Sequence, residues 1–390
     1  MRQLPLFPVT VVGSLPRPPS LLEAMTLARQ GRLAPAELEA CVQSAVEAAI
    51  RLQEECGVDV VSDGEQGRPD FYSFIAQRVD GVELLSLKDL ARHVEDRPLF
   101  ERLLADLDIP LSSVRLPVVV ASLRRRDSLA MRELQRAQRL TDRPIKVALP
   151  GPYLLTCSAW VQALSSVSYP DQEALGRDVV SLLRREVEDL GEAGCEFVQF
   201  DEPMLADVAF SEPEERGNML RAALSRRVDP DRELAFAVDL INRVVEGFEP
   251  LRTGLHVCRG HCAAQDRIRL RGSYHRLLPY FGQMKIRQFV LEYASEQEDN
   301  LEALARLPDD REIGLGVLNP RTAEMEPVET VISKTRRLAR AIGPERIFLN
   351  PDCGFEAFAH RPVNTTTGAA AKLRVLALAA ARLRRSFAES

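Results

Sequence analysis

"DQEALGRDVVSLLRREVEDLGEAGCEFVQFDEP", residues 171–203, sets the expected fold of this chain. Up to Gly194 the apolar residues recur at helical spacing, and the run stops at a glycine, as helices commonly do. Past Cys195 the pattern becomes a short, nearly continuous apolar run that ends in Asp201-Glu202-Pro203. A helix leading into a strand that is apolar on both faces is one half of a parallel β/α repeat.

The repeat recurs along the chain. Strand-like runs occur at VTVVG (9–13), VDVVSDGE (58–65), IKVALPGP (145–152), EFVQFDEP (196–203), GLHVC (254–258), QFVLE (288–292), IGLGVL (313–318) and IFLNPDCG (347–354). Helical patterns separate most of them, for example "PAELEACVQSAVEAAIRLQEECG" (35–57), again closed by a glycine. Eight such strands predict an α/β fold of the TIM (β/α)8 barrel type, since doubly wound open sheets more often have fewer. The longest gap, between the second and third runs, contains "RVDGVEL" (78–84) and "RLPVVVASLRRRDSL" (115–129). It reads as an excursion inserted over roughly 79–140 and including a β-hairpin, within one catalytic barrel domain spanning residues 1–390. No repeat of solenoid length and no low-complexity segment interrupts it.

Composition narrows the function classes. The 390 residues are 45% hydrophobic and 28% charged, and no apolar run approaches a membrane span. The N-terminal stretch reaches prolines and a strand pattern where a signal peptide would need an apolar region, so a cytoplasmic protein is expected. A formal net charge of −6 offers no overall basic field for a nucleic-acid backbone. The one dense basic cluster, Arg124-Arg125-Arg126, is followed by Asp127 and reads as a solvated turn. Seven cysteines cannot all pair, and the cytosol keeps thiols reduced, so clustered ones suggest a metal or catalysis.

In a TIM barrel the chemistry sits at the C-terminal strand ends. Here those ends carry Gly13-Ser14, Asp63-Gly64-Glu65, Gly151-Pro152, Asp201-Glu202, His256 with Cys258, Glu292, Asn319-Pro320-Arg321 and Asp352-Cys353-Gly354. His256 and Cys258 are two residues apart, so on a strand both point the same way. A carboxylate from the sixth strand and a thiolate from the eighth can reach the same point. A mixed His/Cys/Cys/Glu set suits zinc, whereas magnesium or calcium would want oxygen alone. His261 and Cys262, just beyond the fifth strand in "CRGHC", are rival ligands, and Cys353 is preferred because the scaffold holds it on a separate strand end. Cys353 also has the bland reading of a small buried hydrophobe. Cys41, Cys56 and Cys195 read as packing thiols. His93, His275 and His360 have no partner at ligand spacing.

Seven motifs in order, "VVGSLPRP" (11–18), "SDGEQGR" (62–68), "LPGPY" (149–153), "QFDEPML" (199–205), "HVC" (256–258), "LEYAS" (291–295) and "LNPDCGF" (349–355), resemble the cobalamin-independent methionine synthases. The likeness is to the catalytic C-terminal half of the long enzymes, in a short single-barrel form. It implies a methyltransferase on a (β/α)8 barrel with zinc held by His256, Cys258, Glu292 and Cys353. It further implies that homocysteine is held by Ser14, Glu65 and Asp201 and methylated on sulfur. The donor would be 5-methyltetrahydrofolate or a methylcorrinoid, the latter delivered by a corrinoid protein. Trp160, the only tryptophan, falls a few residues from where the family places an aromatic against the pterin.

Two departures accompany the likeness. The seventh-strand loop reads "GVLNPRTAEME" (316–326), with no counterpart of the histidine that the long enzymes carry there, and the N-terminal barrel of the long enzymes is expected to be missing. Other functions therefore stand beside the first. An epoxyalkane:coenzyme M transferase would activate a small sulfonate thiol at a similar zinc site, with Arg17, Arg68 or Arg321 meeting the sulfonate. A zinc-binding interaction protein would keep the barrel without turnover.

Overall fold

The computed structural model describes residues 3–93, 115–210, 229–248, 251–259, 270, 272–294 and 300–389. His261 and Cys262 lie outside these.

Six strands form one parallel sheet in sequence order: β3 (Lys146–Pro150), β4 (Phe197–Asp201), β5 (Arg252–Val257), β6 (Gln288–Glu292), β7 (Glu312–Leu318) and β8 (Ile347–Pro351). These match the third to eighth predicted runs. The first two runs complete the circuit through single parallel bridges, Val9 with Leu349, Thr10 with Val60, and Val61 with Ile145. They are shorter than the sequence suggested because side chains take over the backbone groups that a ladder would use. Gln53, on the helix Pro35–Glu55, donates to Ser62 O at 2.8 Å and accepts from Ser62 N at 2.9 Å. Ser62 Oγ in turn donates to Gly13 O at 2.8 Å, and Thr10 Oγ1 to Val60 O at 2.9 Å.

Local chemistry explains the flanking helices. Asp171 caps Gln172–Glu192 by accepting from Ala174 N at 2.7 Å, and Thr365 caps Thr366–Ala388 through Gly368 N at 3.0 Å. The two glycines predicted as helix ends, Gly57 and Gly194, both have φ of +83°, a left-handed conformation open to glycine at little cost. Every residue of β3, β4, β6, β7 and β8 is buried, which is why these runs lack the alternation of a half-exposed sheet. At the N-terminal floor, Phe197 and Phe348 pack with Val60, and Arg252 spans to Glu312 at 2.7 Å. No helix among the described residues is long and apolar enough to cross a membrane.

The predicted hairpin between the second and third runs is an antiparallel pair, β1 (Val79–Ser86) with β2 (Arg115–Arg125). The basic cluster lies at the end of β2 and just beyond, and acids meet it: Arg124 and Arg126 pair with Asp80, and Arg125 with Glu186 and Asp189. Glu186 is fully buried and also accepts from Leu129 N, Ala130 N and Ser128 Oγ, each at 2.7 Å. This one carboxylate ties the hairpin's exit to the barrel helix Gln172–Glu192. Glu186→Ala strands the buried Leu129 and Ala130 N–H groups and leaves the half-buried Arg125 to Asp189 alone, and should destabilise the fold by about 3 kcal/mol. Urea unfolding with an unchanged midpoint would show that this tie is dispensable.

Candidate metal centre

Ladder register assembles the strand-end residues. Asp201 on β4 lies opposite His256 on β5, His256 opposite Val290 on β6, and Glu292 opposite Gly316 on β7. A ring nitrogen of His256, Cys258 Sγ and Cys353 Sγ lie within 4.8 Å of one another, and all three residues are buried. The predicted trio is thus together. The imidazole is oriented for ligation: Nδ1 faces Val290 O at 3.3 Å, while the buried Nε2 has no oxygen or nitrogen partner. With Nδ1 as donor, the lone pair falls on Nε2. The buried nitrogen and two sulfurs fit a borderline-soft ion, which is the chemistry zinc requires.

Glu292, the fourth predicted ligand, ends β6 beside this trio and bears electrostatically on His256, Cys258 and Cys353. Its Oε1 accepts from Arg259 N at 2.9 Å, and its own N–H donates to the Tyr274 hydroxyl at 3.2 Å. That hydroxyl donates to Val257 O at 2.7 Å, so Tyr274 fastens the end of β5 to the end of β6.

Charge is unevenly settled here. The Cys258 thiol is pulled well below its ordinary value, first by the hydrogen bond with Cys353 and then by His256, against the effect of burial. Cys353 is pushed up by the same bond and by burial. Burial opposes charging of His256, yet Cys258, Asp201 and Glu292 lift it on balance. Burial raises Glu65 to about 7, with Arg68 opposing and Asp201 and Asp63 adding to the rise. Asp201 is raised by burial, with His256 and Gln199 opposing; Gln199 Nε2 donates to its Oδ1 at 2.8 Å. Lys146, buried with Nζ lacking a hydrogen-bond partner, is driven down to about 7 by burial while Asp201 and Glu65 pull the other way.

The residues predicted to hold an amino acid are also at the strand ends. Ser14 is tied to the segment after β8, accepting at its carbonyl from Phe355 N at 2.9 Å and at Oγ from Glu356 N at 3.4 Å. Glu65 has a positive φ of 53°, a strained conformation for a non-glycine residue. Arg17 holds that turn by donating to the carbonyls of Glu65 and Arg68 at 2.8 and 2.9 Å. Trp160 caps the far end of the helix Pro152–Ala159, and its Nε1 donates to Tyr169 O at 3.2 Å. Arg17 and Arg68 are both buried; Arg68 donates to Ala148 O at 2.8 Å and stacks on Phe74. Two of the three arginines considered for a sulfonate are therefore committed to the scaffold. His93, His275 and His360 are exposed.

Sequence reasoning missed Gln199, Lys146 and Tyr274. The first two had a signal, namely polar side chains inside apolar strands, with Gln199 two residues before Asp201 and so on its face. Tyr274 had none, because it reaches the site from a short 3-10 turn between β5 and β6.

The model of the cobalamin-independent synthase catalytic domain matches residues 7–381. A methionine synthase of Thermococcus kodakarensis is 29% identical over 360 residues, covering 92% of this chain and 90% of its own. One from Saccharolobus solfataricus is 26% identical over 363 residues, covering 93% and 92%. Among solved structures, a B12-independent methionine synthase from Shewanella sp. W3-18-1, in complex with selenomethionine, superposes with a TM-score of 0.73 at 22% identity, covering 99% of this chain and 100% of that one. With a barrel-type fold and a family match across nearly its whole length, the chain belongs to the cobalamin-independent methionine synthase family and is a methyltransferase.

Proposed function

We propose that this chain methylates homocysteine to methionine at a zinc centre held by His256, Cys258, Glu292 and Cys353. One observation carries the reading: a buried nitrogen and two sulfurs converge within 4.8 Å at strand ends that also present Glu65 and Asp201. When bound there, zinc would keep a coordinated thiol deprotonated and nucleophilic at neutral pH, where a free thiol is mostly protonated. Glu65 and Asp201 accept hydrogen bonds from the substrate ammonium, and the Ser14 hydroxyl donates to its carboxylate. Holding both ends of the amino acid fixes the direction of its sulfur and limits the freedom lost on the way to reaction. The buried surroundings exclude water and strengthen each contact.

The donor is 5-methyltetrahydrofolate or a methylcorrinoid. A folate's departing nitrogen must gain a proton, and the link after β7, residues 319–327, contains no histidine to give it. A corrinoid's departing cobalt needs none, and a carrier protein would then bring it. For a folate, Trp160 is the proposed aromatic face for the pterin. The chain would work as one cytoplasmic catalytic domain.

Zinc-edge X-ray absorption tests the centre directly. The expected spectrum has two sulfur, one nitrogen and one oxygen ligand, gaining a third sulfur with homocysteine and not with coenzyme M. A change with coenzyme M alone would replace the substrate, and absence of metal from protein prepared with zinc would remove the centre.

Two kinetic outcomes follow from the carboxylates. Asp201→Asn should raise KM for homocysteine roughly 30-fold or more, because a buried partner of the ammonium loses its charge. Glu65 ionises at about 7, and only its ionised form holds the ammonium well. Accordingly kcat/KM should fall as pH drops below that value, approaching tenfold per unit, and Glu65→Gln should flatten this limb of the profile.

A further inference from the structure

β7 lies between the two strands that present Glu292 and Cys353, and its residues opposite Val290 and Glu292 are Gly314 and Gly316. These glycines leave a path across the strand, and a side chain from beyond β8 uses it. Asp352 Oδ1 accepts from Tyr293 N at 3.1 Å and Ala294 N at 3.0 Å, the two residues that follow Glu292. A Cβ at position 316 would stand 2.5 Å from that oxygen and 2.6 Å from Leu291 O, closer than real Cβ contacts come. The bond across β7 thus exists only because residue 316 has no side chain.

Asp352 is itself fastened, its N–H donating to Leu318 O at 2.8 Å, and it is buried immediately before Cys353. The β7–β8 ladder shifts register between Gly316 and Leu318 before pairing Leu318 with Pro351, so the pairing is irregular at the level where the ligands stand. Apart from the carboxylate, the backbone leaving β6 is tied to β7 by Tyr293 N to Gly316 O at 2.8 Å. We infer that Asp352 is a positioning residue, a strut across Gly316 that fixes the separation of Glu292 from Cys353. This rests on the zinc reading of the site above.

The strut works by accepting two N–H bonds, so an amide oxygen should replace it while a methyl should not. The full chain would be loaded with cobalt(II), whose thiolate charge-transfer absorption reports the ligands, and zinc affinity would be measured by chelator competition alongside thermal unfolding. Asp352→Ala is expected to weaken zinc binding by roughly 10- to 100-fold, the usual effect of losing a supporting partner. Gly316→Ala should do the same, and Asp352→Asn should stay within about threefold of the parent while keeping its cobalt spectrum. Parent-like affinity in folded Asp352→Ala or Gly316→Ala would overturn the strut, as would loss of tenfold or more in Asp352→Asn. Should both of the disruptive variants fail to fold, Asp352→Asn decides alone. A parent protein that takes up neither metal would instead overturn the zinc reading, and the strut with it.

Discussion

The candidate centre depends on the register of parallel ladders. A strand repeats its facing every second residue, so a ladder that pairs Asp201 with His256 and Glu292 with Gly316 also fixes which side chains share the barrel's C-terminal mouth. A slip of one residue on β5 would turn His256 and Cys258 outward together. Burial on both faces opposes such a slip, because the outward side of each strand packs its own apolar residues against the helices.

That register brings an unusual amount of acid into a dry place. Glu65, Asp201, Glu292 and the two thiols are all buried, and burial alone would favour their neutral forms. The barrel supplies partial compensation from below and beside: Lys146, Arg68 and His256 offer positive charge, and Gln199 and the Arg259 N–H offer donors. The compensation is incomplete, as the rise of Glu65 to about 7 and the upward shift of Cys353 attest. A divalent cation and a substrate ammonium are the charges such a mouth is suited to receive. The same arrangement disfavours a sulfonate, since its anion would meet Glu65 and Asp201 while Arg17 and Arg68 are spent on backbone carbonyls.

Fixing this mouth falls largely to residues outside the proposed metal-ligand and substrate-binding sets. Tyr274 fastens β5 to β6, Asp352 reaches from the end of β8 to the end of β6, and Arg17 holds the strained turn at Glu65. Each acts where the ladders end and backbone groups would otherwise lose their partners. Glu186 does the equivalent for the hairpin, taking in charge and backbone donors at one point.

Much of this was legible in the residues themselves. Apolar runs closed by polar strand ends, and helices closed by Gly57 and Gly194, determine an α/β repeat, because burial on both faces and left-handed helix ends are local demands. The two-residue spacing of His256 and Cys258 likewise determines that both face one way. The sequence did not determine that the first two runs would pair through single bridges, since Gln53 and Ser62 compete for the same backbone groups from different elements. Nor did it reveal the clearance that Gly316 gives Asp352 or the reach of Tyr274 between strand ends. Those contacts join residues far apart in the chain, and only the closed packing of the tertiary structure sets the distances on which hydrogen bonds, steric clearance and proton affinities depend.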